Sequence, residues 1–172
     1  MNLHLQKIFE KIYAENTDAL FRFVLYRVSD KEQAIDIVED TYVHFWQALK
    51  KEGVKEPRAL LYRIARNLVI DWYRKKKSVP MQMFPSENSE EGEIYMDMFA
   101  GDLVGVDQIL EARMAIEKIG SLEPIYREAV YLRFVEELTP KEIAEILGIS
   151  TNVISVRINR GINLLKMKLH IK

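Results

Sequence analysis

Leu138-Thr139-Pro140-Lys141-Glu142-Ile143-Ala144-Glu145-Ile146-Leu147-Gly148-Ile149-Ser150-Thr151-Asn152-Val153-Ile154-Ser155-Val156-Arg157-Ile158-Asn159-Arg160 is the stretch on which the reading of this chain turns. Thr139 can cap a helix that opens on Pro140, and Glu142 stands where a capping box needs its carboxylate. Ile143 and Leu147 face inward, Ala144 is small where a second helix must cross closely, and Gly148 permits a sharp turn. Ile149 plugs the corner, and Ser150 caps a second helix with Ile154, Ile158 and Leu165 on its buried side. This pattern is a helix-turn-helix, whose second helix enters the major groove of DNA.

The exposed side of that second helix has the matching chemistry. Thr151, Asn152, Ser155, Val156, Asn159 and Arg160 are short polar or small apolar groups near its start, suited to base edges and thymine methyls. Arg157, Lys166 and Lys168 can reach phosphates, and the helix N-terminus attracts one as well. No Asp or Glu occurs from Ile146 to Lys172, whereas a solvated helix normally mixes signs. Taken alone, the motif fits any DNA-binding regulator, and a helical hairpin with a basic tail also fits it.

Working outward, the net charge of −1 over 172 residues hides a segregation. Residues 1–79 hold 15 Lys/Arg against 11 Asp/Glu, residues 80–107 hold seven acids and no base, and residues 108–172 hold ten bases against eight acids. The absence of cysteine excludes disulfides, thiolate nucleophiles and cysteine zinc sites, and three scattered histidines argue against a histidine metal site. No phosphate loop, catalytic triad spacing or ligand set is present, so neither an enzyme, a cofactor nor a small-molecule substrate is expected. No apolar run approaches the roughly 18 residues that span a membrane, and no signal-peptide pattern opens the chain. A cytoplasmic protein without membrane insertion is expected.

The N-terminal block reads as helix. Apolar residues recur at helical spacing in Leu5, Ile8, Phe9 and Ile12, then in Leu20, Phe21, Val24, Leu25 and Val28. Ser29-Asp30 caps the next helix, with Gln33 at the capping-box position and Ala34, Ile37, Val38, Thr41, Phe45 and Leu49 on one face. Gly53 and Pro57 break the pattern, and a further helix follows with Leu60, Leu61, Ile64, Leu68 and Trp72 as its apolar stripe. Pro80, Pro85 and the polar run Ser86–Gly92 mark a linker, although Phe84, Ile94, Tyr95, Met96, Met98 and Phe99 give it apolar material to dock with. Periodicity resumes at Val106 with Ile109, Leu110, Ile116 and Ile119, then Val130, Leu132 and Phe134. The fold class expected is all-α: two small helical domains, residues 1–79 and 108–172, joined by an acidic linker, residues 80–107.

Two stretches of the first block, Ala34-Ile-Asp-Ile-Val-Glu-Asp-Thr-Tyr-Val-His-Phe-Trp46 and Pro57-Arg-Ala-Leu-Leu-Tyr-Arg-Ile-Ala-Arg-Asn-Leu-Val-Ile-Asp-Trp-Tyr-Arg-Lys-Lys-Lys77, resemble region 2 of the bacterial σ70-family σ factors of the extracytoplasmic-function type. Residues from about Leu122 to Leu169, including Leu122-Glu-Pro-Ile-Tyr-Arg-Glu-Ala-Val-Tyr-Leu-Arg133, resemble region 4 of the same family. The resemblance implies a DNA-binding transcription factor that joins core RNA polymerase, directs it to promoter DNA and helps open the −10 region. It implies that Asp36, Glu39, Asp40 and Tyr42 meet core polymerase, where carboxylates suit a basic partner helix. It implies that Arg58, Arg63, Arg66, Asn67, Tyr73, Arg74, Lys75 and Lys76 face the −10 element. By the same resemblance Thr151, Asn152, Ser155, Val156, Arg157, Asn159 and Arg160 face the −35 element, and an anti-σ partner is implied too.

The residues themselves leave some roles open. Without that context, carboxylates early in a helix read as solvated groups favoured by the macrodipole. Trp72 reads by its periodicity as core rather than as a base-stacking platform, while Tyr73 fits either role. The loop Lys50–Pro57 lies where relatives form a base-capturing pocket, and flipping a base costs a few kcal/mol. Relatives carry Gln-Asp or Gln-Glu where this chain has Glu39-Asp40, an extra charge that alters salt dependence. They carry Gly-Thr-Val-Lys/Arg-Ser-Arg where this chain has Asn152-Val153-Ile154-Ser155-Val156-Arg157, so the −35 preference of relatives does not transfer. As a relaxed coil the linker spans about 30 Å, against roughly 70 Å between promoter elements two helical turns apart. Polymerase must then hold it extended, and its acids suit a basic channel of that enzyme. Two rival readings remain: a free-standing helix-turn-helix repressor or activator, and a σ-sequestering interaction protein.

Overall fold

The computed structural model describes residues 3–51, 54–76 and 106–169. The acidic linker falls largely outside them, as do Gly53 and Lys77. Seven helices make up the described residues: α1 (Leu3–Val28), α2 (Lys31–Leu49), α3 (Pro57–Lys76), α4 (Val106–Gly120), α5 (Pro124–Phe134), α6 (Pro140–Leu147) and α7 (Thr151–Lys168). No strand occurs among them. The chain divides into two units, Met1–Pro85 and Ser86–Lys172, each with its own core.

In the first unit the two periodic runs of the N-terminal block form one continuous helix, α1, which packs on both α2 and α3. Its buried residues concentrate in the second half, where Leu20, Phe23 and Val24 are fully enclosed. Phe23, which the spacing argument passed over, meets the buried ring of Tyr62 edge-on at 5.2 Å. The Arg27 guanidinium lies 3.5 Å from the centroid of the Phe23 ring, and its Nη1 donates to the Phe23 carbonyl at 2.9 Å. Asp30 caps α2 by accepting from the Gln33 amide at 3.0 Å. The expected six-residue apolar face of α2 is buried in full, with the Thr41 hydroxyl donating to the Ile37 carbonyl at 2.6 Å.

The apolar stripe of α3 is rotated from its expected position. Ala59, Leu61, Tyr62, Ala65 and Val69 are buried, whereas Leu60, Ile64, Leu68 and Trp72 are only half-buried at its edge. Small residues explain the difference. Ala59 and Ala65 are weak hydrophobic signals in a sequence, yet they let α3 lie close against its neighbours.

The second unit is built on α7. Helices α5 and α6 both pack against it, and α4 covers α5. Its core holds Leu122, Tyr131, Leu132, Leu138, Ile143 and Ile154. Phe134, placed inward by the periodicity, is 53% exposed, because α5 ends there and the chain turns away. On α6, Ile143 is buried as expected, whereas Ile146 is buried where Leu147 was expected to be and Leu147 is half-buried. Gly161 is where α7 crosses α5. A Cβ there would lie 2.5 Å from Cγ2 of Val130 and 3.4 Å from Cβ of Tyr126.

Val130 is buried and β-branched, so it has few rotamers with which to yield. Overpacking of this kind costs roughly 1–3 kcal/mol, against a gain of about 1 kcal/mol in helix propensity when glycine becomes alanine. Gly161→Ala is therefore expected to lower stability by about 1 kcal/mol in urea unfolding. Gly120→Ala, at the end of α4 where a Cβ would meet nothing within 4 Å, serves as the control that loses no stability.

Candidate nucleic-acid interfaces and a carboxylate face

The helix-turn-helix forms through local bonds. Thr139 and Glu142 make a capping box: the Glu142 amide donates to the Thr139 hydroxyl at 3.2 Å, and the Thr139 amide donates to the Glu142 carboxylate at 2.8 Å. Pro140 opens α6, and Gly148 ends it in the left-handed region at φ 67°. That conformation suits glycine, which has no Cβ to clash. The Ile149 amide then donates back to the Ala144 carbonyl at 3.2 Å. Ser150 caps α7 by accepting from the Val153 amide at 3.3 Å.

This geometry leaves Thr151, Asn152, Val156, Asn159 and Arg160 exposed, with Ser155 and Arg157 half-buried. The Ser155 hydroxyl donates to the Thr151 carbonyl at 3.1 Å, so its proton is spent inside the helix. Lys168 is also differently employed than its sequence position suggested. Its ammonium donates to the carbonyl and hydroxyl of Ser121, at 2.8 and 3.0 Å, and ties the end of α7 to the α4–α5 turn. Beside the start of α7 lies an open concavity of about 280 Å³, lined by Ile125, Tyr126, Asn152, Val153, Val156, Arg157 and Arg160. Ile125 and Val153, which sequence reasoning did not single out, are 47% and 41% exposed.

In the first unit, α2 turns Asp36, Glu39 and Asp40 to solvent. Ile35 and Val43 stand exposed on the same helix. They too escaped the sequence reading, although both fall off the buried stripe and could have been found as apolar residues on a polar face. Tyr42 is not on that face. It is buried, its hydroxyl shares a hydrogen bond with Thr17 at 3.0 Å, and its ring lies 4.8 Å from that of Tyr13 and 6.0 Å from that of Phe9.

Helix α3 carries the second cationic surface. Arg63 and Asn67 are exposed on successive turns, and Arg66 is half-buried beside them. Arg58 is drawn inward: its Nε donates to Oδ1 of Asn16 at 3.1 Å and its guanidinium lies 5.9 Å from the Tyr62 ring, so it braces α3 on α1. The basic end of the helix is held by two polar ties. Trp72 donates its indole N–H to the Gln33 side-chain carbonyl at 2.7 Å, and the Tyr73 hydroxyl donates to the Arg27 carbonyl. The Gln33 side chain thus serves Trp72, while its amide still makes the Asp30 half of the expected capping box. Arg74, Lys75 and Lys76 project beyond these ties, with Arg74 3.5 Å from Asp71 and the Lys76 ammonium 4.1 Å from the centroid of the Trp72 ring. Three bases in the last turn also complement the helix dipole.

Among the described residues no cluster of His, Asp and Glu could hold a metal ion, and no helix is long and apolar enough to cross a membrane.

A three-helix unit with a carboxylate face and a cationic helix, followed by a helix-turn-helix unit, defines the architecture of a promoter-recognition subunit. Residues 12–79 match the family Sigma-70 region 2, and residues 112–165 match Sigma-70, region 4. The chain is 32% identical over 131 residues to the RNA polymerase σ factor CnrH of Cupriavidus metallidurans, covering 73% of this chain and 68% of that protein. It is 27% identical over 170 residues to the ECF RNA polymerase σ factor SigW of Bacillus subtilis, covering 95% and 90%. The fold is similar to that of the σ factor RpoE of Bartonella quintana, solved with the anti-σ factor NepR, at a TM-score of 0.60 and 22% identity over 96% of this chain and 99% of that one. The chain belongs to the σ70 family, in its ECF group, and is a transcription initiation factor that directs RNA polymerase to promoters.

Burial, partly offset by the Thr17 hydrogen bond, raises the Tyr42 hydroxyl above its ordinary value near 10, with Tyr13 and Asp18 adding to the rise. The folded state thus favours protonated Tyr42, a contribution complete below pH 10 and lost as pH climbs through the raised value. Tyr42→Phe should cost about 1 kcal/mol at neutral pH through the lost hydrogen bond. That deficit should shrink above about pH 10, where only the wild type pays for ionisation. Chemical unfolding of both proteins across pH 7–11 measures this, and a constant gap would remove the assignment.

Proposed function

We propose that this σ factor grips core RNA polymerase through Asp36, Glu39 and Asp40 on α2, and sets Arg63, Arg66, Asn67 and the Arg74–Lys76 end of α3 against the −10 element. Helix α7 meets the −35 element through Thr151, Asn152, Val156, Arg157, Asn159 and Arg160. Residues 1–79 act as the polymerase and −10 module, residues 108–172 as the −35 module, and residues 80–107 as the acidic link between them. Arg58, Tyr42 and Tyr73 support these surfaces by holding helices together. The protein works in the cytoplasm as a regulator without catalytic chemistry, cofactor or small-molecule substrate. The solved assembly of RpoE with NepR supports an anti-σ partner for this chain as well.

One observation carries the reading: the exposed carboxylates of α2 and the acid-free α7 give separate surfaces for a basic protein and for a polyanion. Single small modules bind DNA weakly and lean on phosphate contacts, so tight specific binding requires both modules held on one enzyme. Gel shift on a promoter fragment, with and without core polymerase, tests this. Core polymerase is expected to tighten specific binding by about a hundredfold or more, the gain typical of linked modules. Equal specific binding by the free chain would instead identify a free-standing repressor or activator.

A further inference from the structure

Among the donors Asn152, Asn159 and Arg160, the face that α7 leaves exposed holds a patch with no free hydrogen-bond donor. Val156 stands near its centre, 48% exposed, and the hydroxyl of Ser155 already donates to Thr151. Val153 adds a second exposed aliphatic group one turn earlier, and Ile125 adds a third from the start of α5. These three β-branched side chains wall the 280 Å³ concavity, and Arg157 and Arg160 line it with them. Burying β-branched groups sacrifices little rotamer freedom, so an apolar ligand is taken up there at low entropic cost.

The charge around the concavity selects the occupant. No acid occurs between Ile146 and Lys172, and the charged residues that line the concavity are Arg157 and Arg160, as an anionic partner requires. Among the groups that duplex DNA displays in its major groove, only thymine presents a methyl. We propose that this chain recognises its upstream promoter element largely through thymine 5-methyl groups seated against Val156, Val153 and Ile125, with Arg157 and Arg160 holding the flanking phosphates or base edges. The inference rests on α7 facing the −35 element and names what that helix reads there.

Deoxyuridine isolates the effect, because it keeps the pairing and the O4 acceptor of thymidine and lacks only the methyl. Promoters are first selected by the holoenzyme from a library randomised upstream. The selected duplex is then remade with deoxyuridine replacing thymidine in the upstream element alone, and holoenzyme affinity is compared at one salt concentration. Each seated methyl should contribute about fourfold in affinity, the value of burying one such group. Val156→Ala should weaken binding to the thymidine duplex and bring the two duplexes close to parity. Equal affinity of the wild type for both duplexes overturns the proposal and leaves the concavity to another occupant, such as an apolar side chain of a protein partner. Selected elements without thymine overturn it equally. Selection with no upstream preference of any kind would contradict the placement of α7 itself, whereas upstream preference without methyl dependence contradicts only the present inference.

Discussion

Charges of opposite sign held within a Debye length, about 8 Å in physiological salt, screen one another's reach. A protein that must attract a basic surface and also a polyanion therefore has to keep its carboxylates and its cations on different elements. This chain separates the exposed carboxylates of α2 from the acid-free α7, with an overall charge of only −1. Asp36, Glu39 and Asp40 stand exposed on α2, and the cations of α3 and α7 stand on helices whose exposed faces carry almost no acid. In the second unit Glu128 and Glu136 are buried, which further strips negative charge from that surface.

Packing converts this segregation into orientation. The capping box at Thr139, the left-handed Gly148 and the cap at Ser150 fix the angle between α6 and α7. The close crossing at Gly161 then fixes which side of α7 is spent on α5 and which is left exposed. In the first unit Trp72 and Tyr73 do comparable work. Their hydrogen bonds to Gln33 and to the Arg27 carbonyl anchor the end of α3, so that Arg74, Lys75 and Lys76 project from a fixed base. Trp72, whose periodicity points to the core, and Tyr73, which fits either packing or stacking, therefore act first as joints. The Trp72 ring also lies beneath the Lys76 ammonium.

Much of this was legible in the sequence, for identifiable reasons. Caps and glycine turns act over three or four residues, so Asp30, Thr139, Pro140, Gly148 and Ser150 could be assigned without tertiary information. The buried face of α2 was equally plain, because its apolar residues are large and regularly spaced. What failed depended on contacts between distant segments. The stripe of α3 is rotated toward Ala59 and Ala65, whose small side chains signal close approach only once a neighbour is known. The resemblance implies that Tyr42 meets core polymerase, but its side chain is buried and its hydroxyl shares a hydrogen bond with Thr17 on α1. Arg58 is drawn to Asn16 and Lys168 to Ser121, partners 42 and 47 residues away that no local pattern reveals. The apolar walls of the concavity escaped because Ile125 and Val153 lie on different helices and become neighbours only when α5 meets α7.

The carboxylate surface of α2 and the cationic surface of α7 are separable on one chain, and separability can be measured. Asp40→Lys and Arg160→Ala are each assayed twice: for affinity to core polymerase, and for upstream sequence preference of the holoenzyme at saturating core. Asp40→Lys should weaken core binding by about three- to tenfold at low salt and leave upstream preference intact. Arg160→Ala should relax upstream preference by about tenfold and leave core affinity unchanged. Comparable losses in both assays from either substitution would contradict the division of labour between α2 and α7.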